Sequence, residues 1–191
     1  MTVFTCEDNL EAIMTCIYDA WDSKLGHQQI RLITEPVSEP ELFCDYRHTE
    51  ADPAKAEKVM RSIEKKISCA AWQMAYRCAM SPSPEKPDVI YRFLRYGFAF
   101  GSRALQMLQE APVATFFELN RRVENEAHRY REFIRFSGFP GDVLVSHISP
   151  KSDVLTLTAP YFADRMPSDY WIISDDTRRT AAVHPRDENF Y

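Results

Sequence analysis

The stretch EAHRYREFIRFSGFPGDVLVSHIS, Glu126 to Ser149, decides the fold class. Its first half belongs to a helix and its second half to strands. Working upstream, Phe116, Leu119, Val123, Ala127, Tyr130 and Ile134 recur at three- and four-residue steps. That spacing predicts a helix over 113–134 with one buried stripe. Downstream, apolar residues alternate on both sides of Phe139-Pro140-Gly141-Asp142, which predicts two strands joined by a turn. A long helix that runs straight into a hairpin excludes an all-α or an all-β chain.

The same reading extends outward. TVFTC near the start is rich in β-branched and aromatic residues and predicts a strand. Asp8 or Asn9 can cap a following helix that carries Leu10, Ile13, Met14, Ile17 and Trp21 inward, with Gly26 at its stop. A loop with Pro36 and Pro40 follows, then a short strand over 41–48. Asp52-Pro53 reads as an N-cap with proline at the first helical position. Ser68 can cap the next helix, and SPSPEKPD, residues 81–88, reads as a rigid connector. Ile90, Phe93, Leu94, Gly97, Gly101, Leu105 and Leu108 then keep helical spacing, with Gly97 and Gly101 marking close helix approach. Near the end, LTAPYFADRMP predicts a short helix and YWIISDDTRRTAAVHP a second hairpin turning at Asp176-Thr177. The expected fold is α+β: a helical middle with an antiparallel sheet built from the N-terminal strands and C-terminal hairpins. A single domain over 1–191 is expected, with the connector 81–88 inside it.

Composition bounds the function classes. At 191 residues with 45% hydrophobic and 13% aromatic content, a packed core is expected and disorder is excluded. No run approaches the ~20 apolar residues of a membrane helix. MTVFTCEDNLEAI turns acidic at once, unlike a secretory leader, so a cytoplasmic protein with no membrane association is expected. Cys6, Cys16, Cys44, Cys69 and Cys78 are odd in number and form no C-x-x-C, so they read as reduced, mostly buried thiols. Neither a metal site nor a cofactor is expected from such spacing.

Net charge is −5, but it is unevenly spread: residues 61–136 hold 13 bases against 8 acids, and the flanks are acidic. A local basic patch can speak to partners where net charge cannot. No phosphate loop, dinucleotide fingerprint, nucleophile elbow or zinc-protease motif is present. The best catalytic candidate is His128. Glu124, His128, Arg131 and Arg135 fall on one lateral stripe of the predicted helix, with Arg121 at its edge. A histidine beside a carboxylate and guanidiniums can move protons, and the forked donors of arginine suit phosphate. The stripe is equally compatible with a solvated helix face. In the tail, Asp175 and Asp176 read as turn formers and Trp171 as core.

The ordered combination E-A-H-R-(aromatic)-x-x-F-x-R-F, A-P-x-F-A-D-R and W-I-I-x-D-x-x-R, with LRYGFAFG at 94–101, resembles a bacterial family of unknown function. Its members are assigned to DNA metabolism or DNA repair. The motif positions here are Arg95, Gly97, Gly101, Glu126, His128, Arg129, Phe133, Arg135, Phe136, Phe162, Arg165 and Trp171. Tyr161 and Ser174 depart from the family pattern. The resemblance implies a neighbouring radical-SAM protein, or fusion behind a uracil-DNA-glycosylase-like domain, as the working partner. This chain lacks the cysteine cluster of a radical-SAM enzyme and would be the partner rather than the catalyst.

The expectation is therefore a DNA-repair or DNA-metabolism accessory protein that binds DNA, with Arg95, Arg121, Arg129, Arg131, Arg135 and Arg165 as phosphate contacts. Two alternatives stand beside it. One is a nucleotide- or DNA-processing enzyme using His128, with arginines holding phosphate. The other is a protein–protein adaptor.

Overall fold

In a computed structural model that describes residues 1–191, the chain forms two compact units, Met1–Asn120 and Arg121–Tyr191. The stretch 81–88 lies inside the first.

The first unit is built on a three-stranded sheet. Strand β1 (Thr2–Cys6) is central, with β2 (Ile30–Thr34) and β3 (Asp45–His48) on either side, and both pairs are parallel. The antiparallel sheet expected at this end is therefore corrected. Helix α1 (Leu10–Asp22) carries the chain from the end of β1 back to the start of β2, and a return of that kind makes neighbouring strands parallel. Strand β2 falls where a loop was expected. Its five residues, IRLIT, alternate buried and half-buried, but the prolines just beyond them dominated the local pattern. Strand β3 starts four residues later than expected, because Leu42 and Phe43 stand in solvent and Phe43 has a φ of 62°.

The helix starts follow the sequence. The Asn9 side chain accepts from the Ala12 amide, Asp52 from Ala54 and Lys55, and Ser68 from Ala71, each satisfying a donor with no partner inside the helix. Helices α2 (Pro53–Lys66), α3 (Cys69–Ala79) and α4 (Lys86–Phe100) then pack with α1 and the first part of α5 (Ala111–Phe133) around one apolar core. Phe93 and Phe116 stack at its centre, 3.9 Å between ring centroids and 2° from parallel. Lys86 is buried, yet its ammonium donates to the Ser81 carbonyl at 2.6 Å and pairs with Asp8, which offsets its desolvation.

The two glycines of the G-x-x-x-G do different work. A side chain on Gly97 would run into Cδ1 of Ile67, so this glycine permits the close approach expected of it. Gly101 instead ends α4 with a φ of 62°, and residues 101–106 tighten into a 3-10 turn. Leu108 is consequently exposed rather than continuing the helix.

The second unit begins within α5. Its stripe is buried at Val123, Ala127 and Ile134, while Tyr130 is half-buried. Strands β4 (Ser137–Phe139), β5 (Val143–Ile148), β6 (Tyr170–Asp175) and β7 (Thr180–His184) form a sheet in that order. Both expected hairpins are present, β4 with β5 and β6 with β7. The hairpins join through a parallel β5–β6 pair, because helix α6 (Leu155–Arg165) crosses between those strands. The sheet is thus mixed, and separate from the N-terminal one. No helix in either unit is long and apolar enough to cross a membrane.

The Gly97 contact gives a direct test. Gly97→Val should lower stability by about 1–3 kcal/mol through overpacking. In a double-mutant cycle with Ile67→Val, read by chemical denaturation, the penalty should shrink, because the colliding methyl is gone.

Candidate phosphate-binding surface

Helix α5 sorts the residues of the opening stretch by direction. Arg121, Glu124, His128, Arg129 and Phe133 are exposed, Glu126 and Arg131 are half-buried, and Ala127 is buried. Arg129 and Phe133 are one turn apart, so a guanidinium and a ring share a face. Arg135 is also exposed but lies past the last helical residue, out of the helical register. The Nε2 of His128 is 3.3 Å from Glu132, a partner one turn on.

Arg131 is separated from its expected neighbours. Its Nη2 donates to the Leu157 carbonyl at 2.8 Å, and its Nε is enclosed with no acceptor. The accepting carbonyl lies in the first turn of α6, the helix that contains Pro160. Arg131 thus fastens α6 to α5. Arg165, exposed at the end of α6, reaches the Tyr161 hydroxyl at 3.4 Å. Arg95 belongs to the other unit, half-buried on α4 beside a groove lined by Trp21 and His27.

Glu126 and the W-I-I-x-D-x-x-R segment converge on one loop. The Glu126 carboxylate accepts from the backbone amides of Lys151 at 2.8 Å and Ser152 at 3.0 Å. From the other side, Arg178 donates to the carbonyls of Pro150 at 3.2 Å and Lys151 at 2.5 Å. Asp175, fully buried, orients Arg178 at 3.0 Å and also accepts from the amides of Thr177 and Arg178, which makes it the turn former expected. Partial burial alone would raise the Glu126 pKa. The hydrogen bonds from Ser152 and Lys151, helped by Arg129, outweigh it and hold the carboxyl below its ordinary value.

Phe136, Phe162 and Trp171 form the aromatic core of this unit. Trp171 is fully buried and lies flat on His184, with centroids 4.8 Å apart, while Phe136 and Phe162 meet it at 6.4 Å. Three family-motif aromatics are therefore packing residues. Phe133 is the exception, 67% exposed.

Two groupings escaped sequence reasoning. His147 Nδ1 lies 3.0 Å from Asp176, whose carboxylate also accepts from Ser174 and is held below its usual range by both. The parallel register that sets His147 beside Ser174 creates this pair, and only knowledge of that register would have revealed it. The second is the aromatic group around Trp21, whose members are spread over residues 18–100.

Glu126→Gln should cost about 1–2 kcal/mol at neutral pH, since one of two charge-assisted bonds is lost at a partly exposed site. A depressed carboxyl pKa contributes stability that is present above the unfolded value and disappears as pH falls through the folded one. The gap between the unaltered chain and the variant, measured by urea unfolding, should therefore close in acid below about pH 4. Arg131→Ala should also destabilise, by about 1–3 kcal/mol, whereas Arg129→Ala should change little.

Comparison with known proteins adds the family. No curated protein matches the chain. The family model described as a domain of unknown function, DUF4130, matches residues 84–190, taking in α4, α5 and the mixed sheet with its crossover helix. That match covers more than half of the 191 residues, and the chain belongs to the DUF4130 family.

Proposed function

We propose that the chain is an accessory DNA-binding protein of DNA repair or DNA metabolism, working beside a radical-SAM or uracil-DNA-glycosylase-type enzyme. The observation that carries the binding part is the outer face of α5 and its extension, where Arg121, Arg129 and Arg135 stand in solvent with the exposed ring of Phe133. Arg129 and Arg135 make only long local contacts, each 3.4 Å to a backbone carbonyl of Asn125 and Ile134, so their guanidiniums can offer paired donors to phosphate oxygens. Arg131 is left out of this surface, because its Nη2 is committed to α6. The partner enzyme is carried by the motif resemblance.

His128 fits this reading as a surface contact. Its side chain is 66% exposed and already paired with Glu132. An acid–base role would call for a more enclosed setting that tunes the imidazole and excludes water.

Phosphate contacts make affinity fall with salt, with a log–log slope of about −0.9 for each phosphate neutralised on duplex DNA. Arg121→Ala/Arg129→Ala/Arg135→Ala should flatten that slope by roughly 2–3 and leave the melting temperature near that of the unaltered chain. His128→Ala should change duplex affinity by less than about twofold, since its side chain is already engaged with Glu132. Absence of duplex binding at low salt, with the partner enzyme present or absent, would overturn the proposal. An unchanged slope in the triple variant would remove α5 from it.

A further inference from the structure

Trp21 sits in the last turn of α1 and is 38% exposed, although the spacing of Ile13, Met14 and Ile17 points it inward. Its neighbours pack against it with inclined rings. His27 meets it at 4.9 Å between centroids, Phe98 at 5.3 Å and Tyr91 at 5.7 Å, all edge-on. Inclined packing fixes the orientation of the indole, and none of the three rings stacks flat on it, so part of its surface stays in solvent.

Three adjoining concavities use this indole as a common wall, of about 280, 420 and 260 Å³. Cations line each: Lys58 and Lys66 the first, Arg95 the second and Lys24 the third, against the single carboxylate of Asp22. Lys66 stands 5.7 Å above the Phe98 ring, and Lys58 is 5.7 Å from the Tyr18 ring. The Nε of Arg95 is enclosed and has no acceptor. A buried donor without a partner costs free energy that an incoming oxygen would recover. His27 is hydrogen-bonded to the Tyr91 hydroxyl at 2.7 Å, and burial together with Arg95 holds its pKa below the usual histidine value. The imidazole is thus neutral at pH 7, an aromatic wall rather than another cation.

The occupant must offer flat rings and anions in alternation. An acidic peptide would satisfy the cations and leave the rings unused, and an acyl chain would do the reverse. A duplex hides its base faces. A single strand presents bases and phosphates by turns, and an aromatic platform accepts any base because every base has a π-face.

We propose that the face around Trp21 binds single-stranded DNA, with a base stacked on the indole and phosphates held by Lys58, Lys66 and Arg95. This site lies wholly within the first unit, and it does not depend on the arginines of α5.

The test is fluorescence-anisotropy titration of the full chain with a labelled oligothymidylate and, separately, with a duplex. Trp21→Ala should weaken oligothymidylate binding by roughly 5- to 100-fold, while duplex binding changes less than about twofold. Lys58→Ala/Lys66→Ala, which alters only exposed side chains, should flatten the single-strand salt slope by about 1.4. That variant also decides the matter if Trp21→Ala melts early. The proposal is overturned if the unaltered chain fails to bind oligothymidylate at low salt. It is overturned equally if folded variants keep their affinity, or if single-strand and duplex affinities fall together. The α5 triple variant separates the two surfaces, because it should act on the duplex and spare the stacked base.

Discussion

Parallel strands cannot be joined by a tight turn, and both sheets of this protein contain parallel pairs. Two of the three parallel pairs are joined by a crossover helix, α1 between β1 and β2 and α6 between β5 and β6, whereas β3 reaches its place beside β1 through the loop 35–44. The two crossovers are secured differently. Helix α1 opens with a local device, the Asn9 cap. Helix α6 has no side-chain cap, so the loop before it is held from outside by Glu126 and Arg178, and the helix itself by Arg131. Long-range ionic and hydrogen-bonding contacts replace a short-range one.

That substitution changes the meaning of the motif residues. A segment such as EAHRYREF looks like a cluster of reactive side chains when laid out in one dimension. On the helix, Glu126 and Arg131 face inward to tasks of assembly, while His128, Arg129 and Phe133 face out. Only the outward set can meet a macromolecular partner without first breaking the fold. The buried Asp175–Arg178 pair is of the inward kind too. Removing one member would leave a charge or several carbonyls unsatisfied, which is why such contacts act as assembly devices.

The fates of two tryptophans show how context assigns a role to one residue type. Trp171 is stacked flat on His184 and closed over by phenylalanines, so its faces are spent on the core. Trp21 is 38% exposed and packed only by inclined rings, beside lysines and an arginine. The first contributes stability through buried area, and the second keeps part of its ring in solvent.

The sequence alone determined the helices, their caps and both hairpins, because these depend on residues a few positions apart. Asn9, Asp52 and Ser68 cap as expected, and the α5 stripe is buried as its period requires except at the half-buried Tyr130. Membership of the DUF4130 family likewise rests on sequence, over residues 84–190. Strand direction was not legible, since the same five residues can pair either way and only the path of the crossover chooses. The function of Arg131 was hidden for a similar reason: its partner lies 26 residues away on another helix. The face around Trp21 needed three helices and a loop to bring Lys66, His27 and Arg95 together. Side-chain spacing fixes what a segment becomes, and only packing decides which of its groups remain free to act.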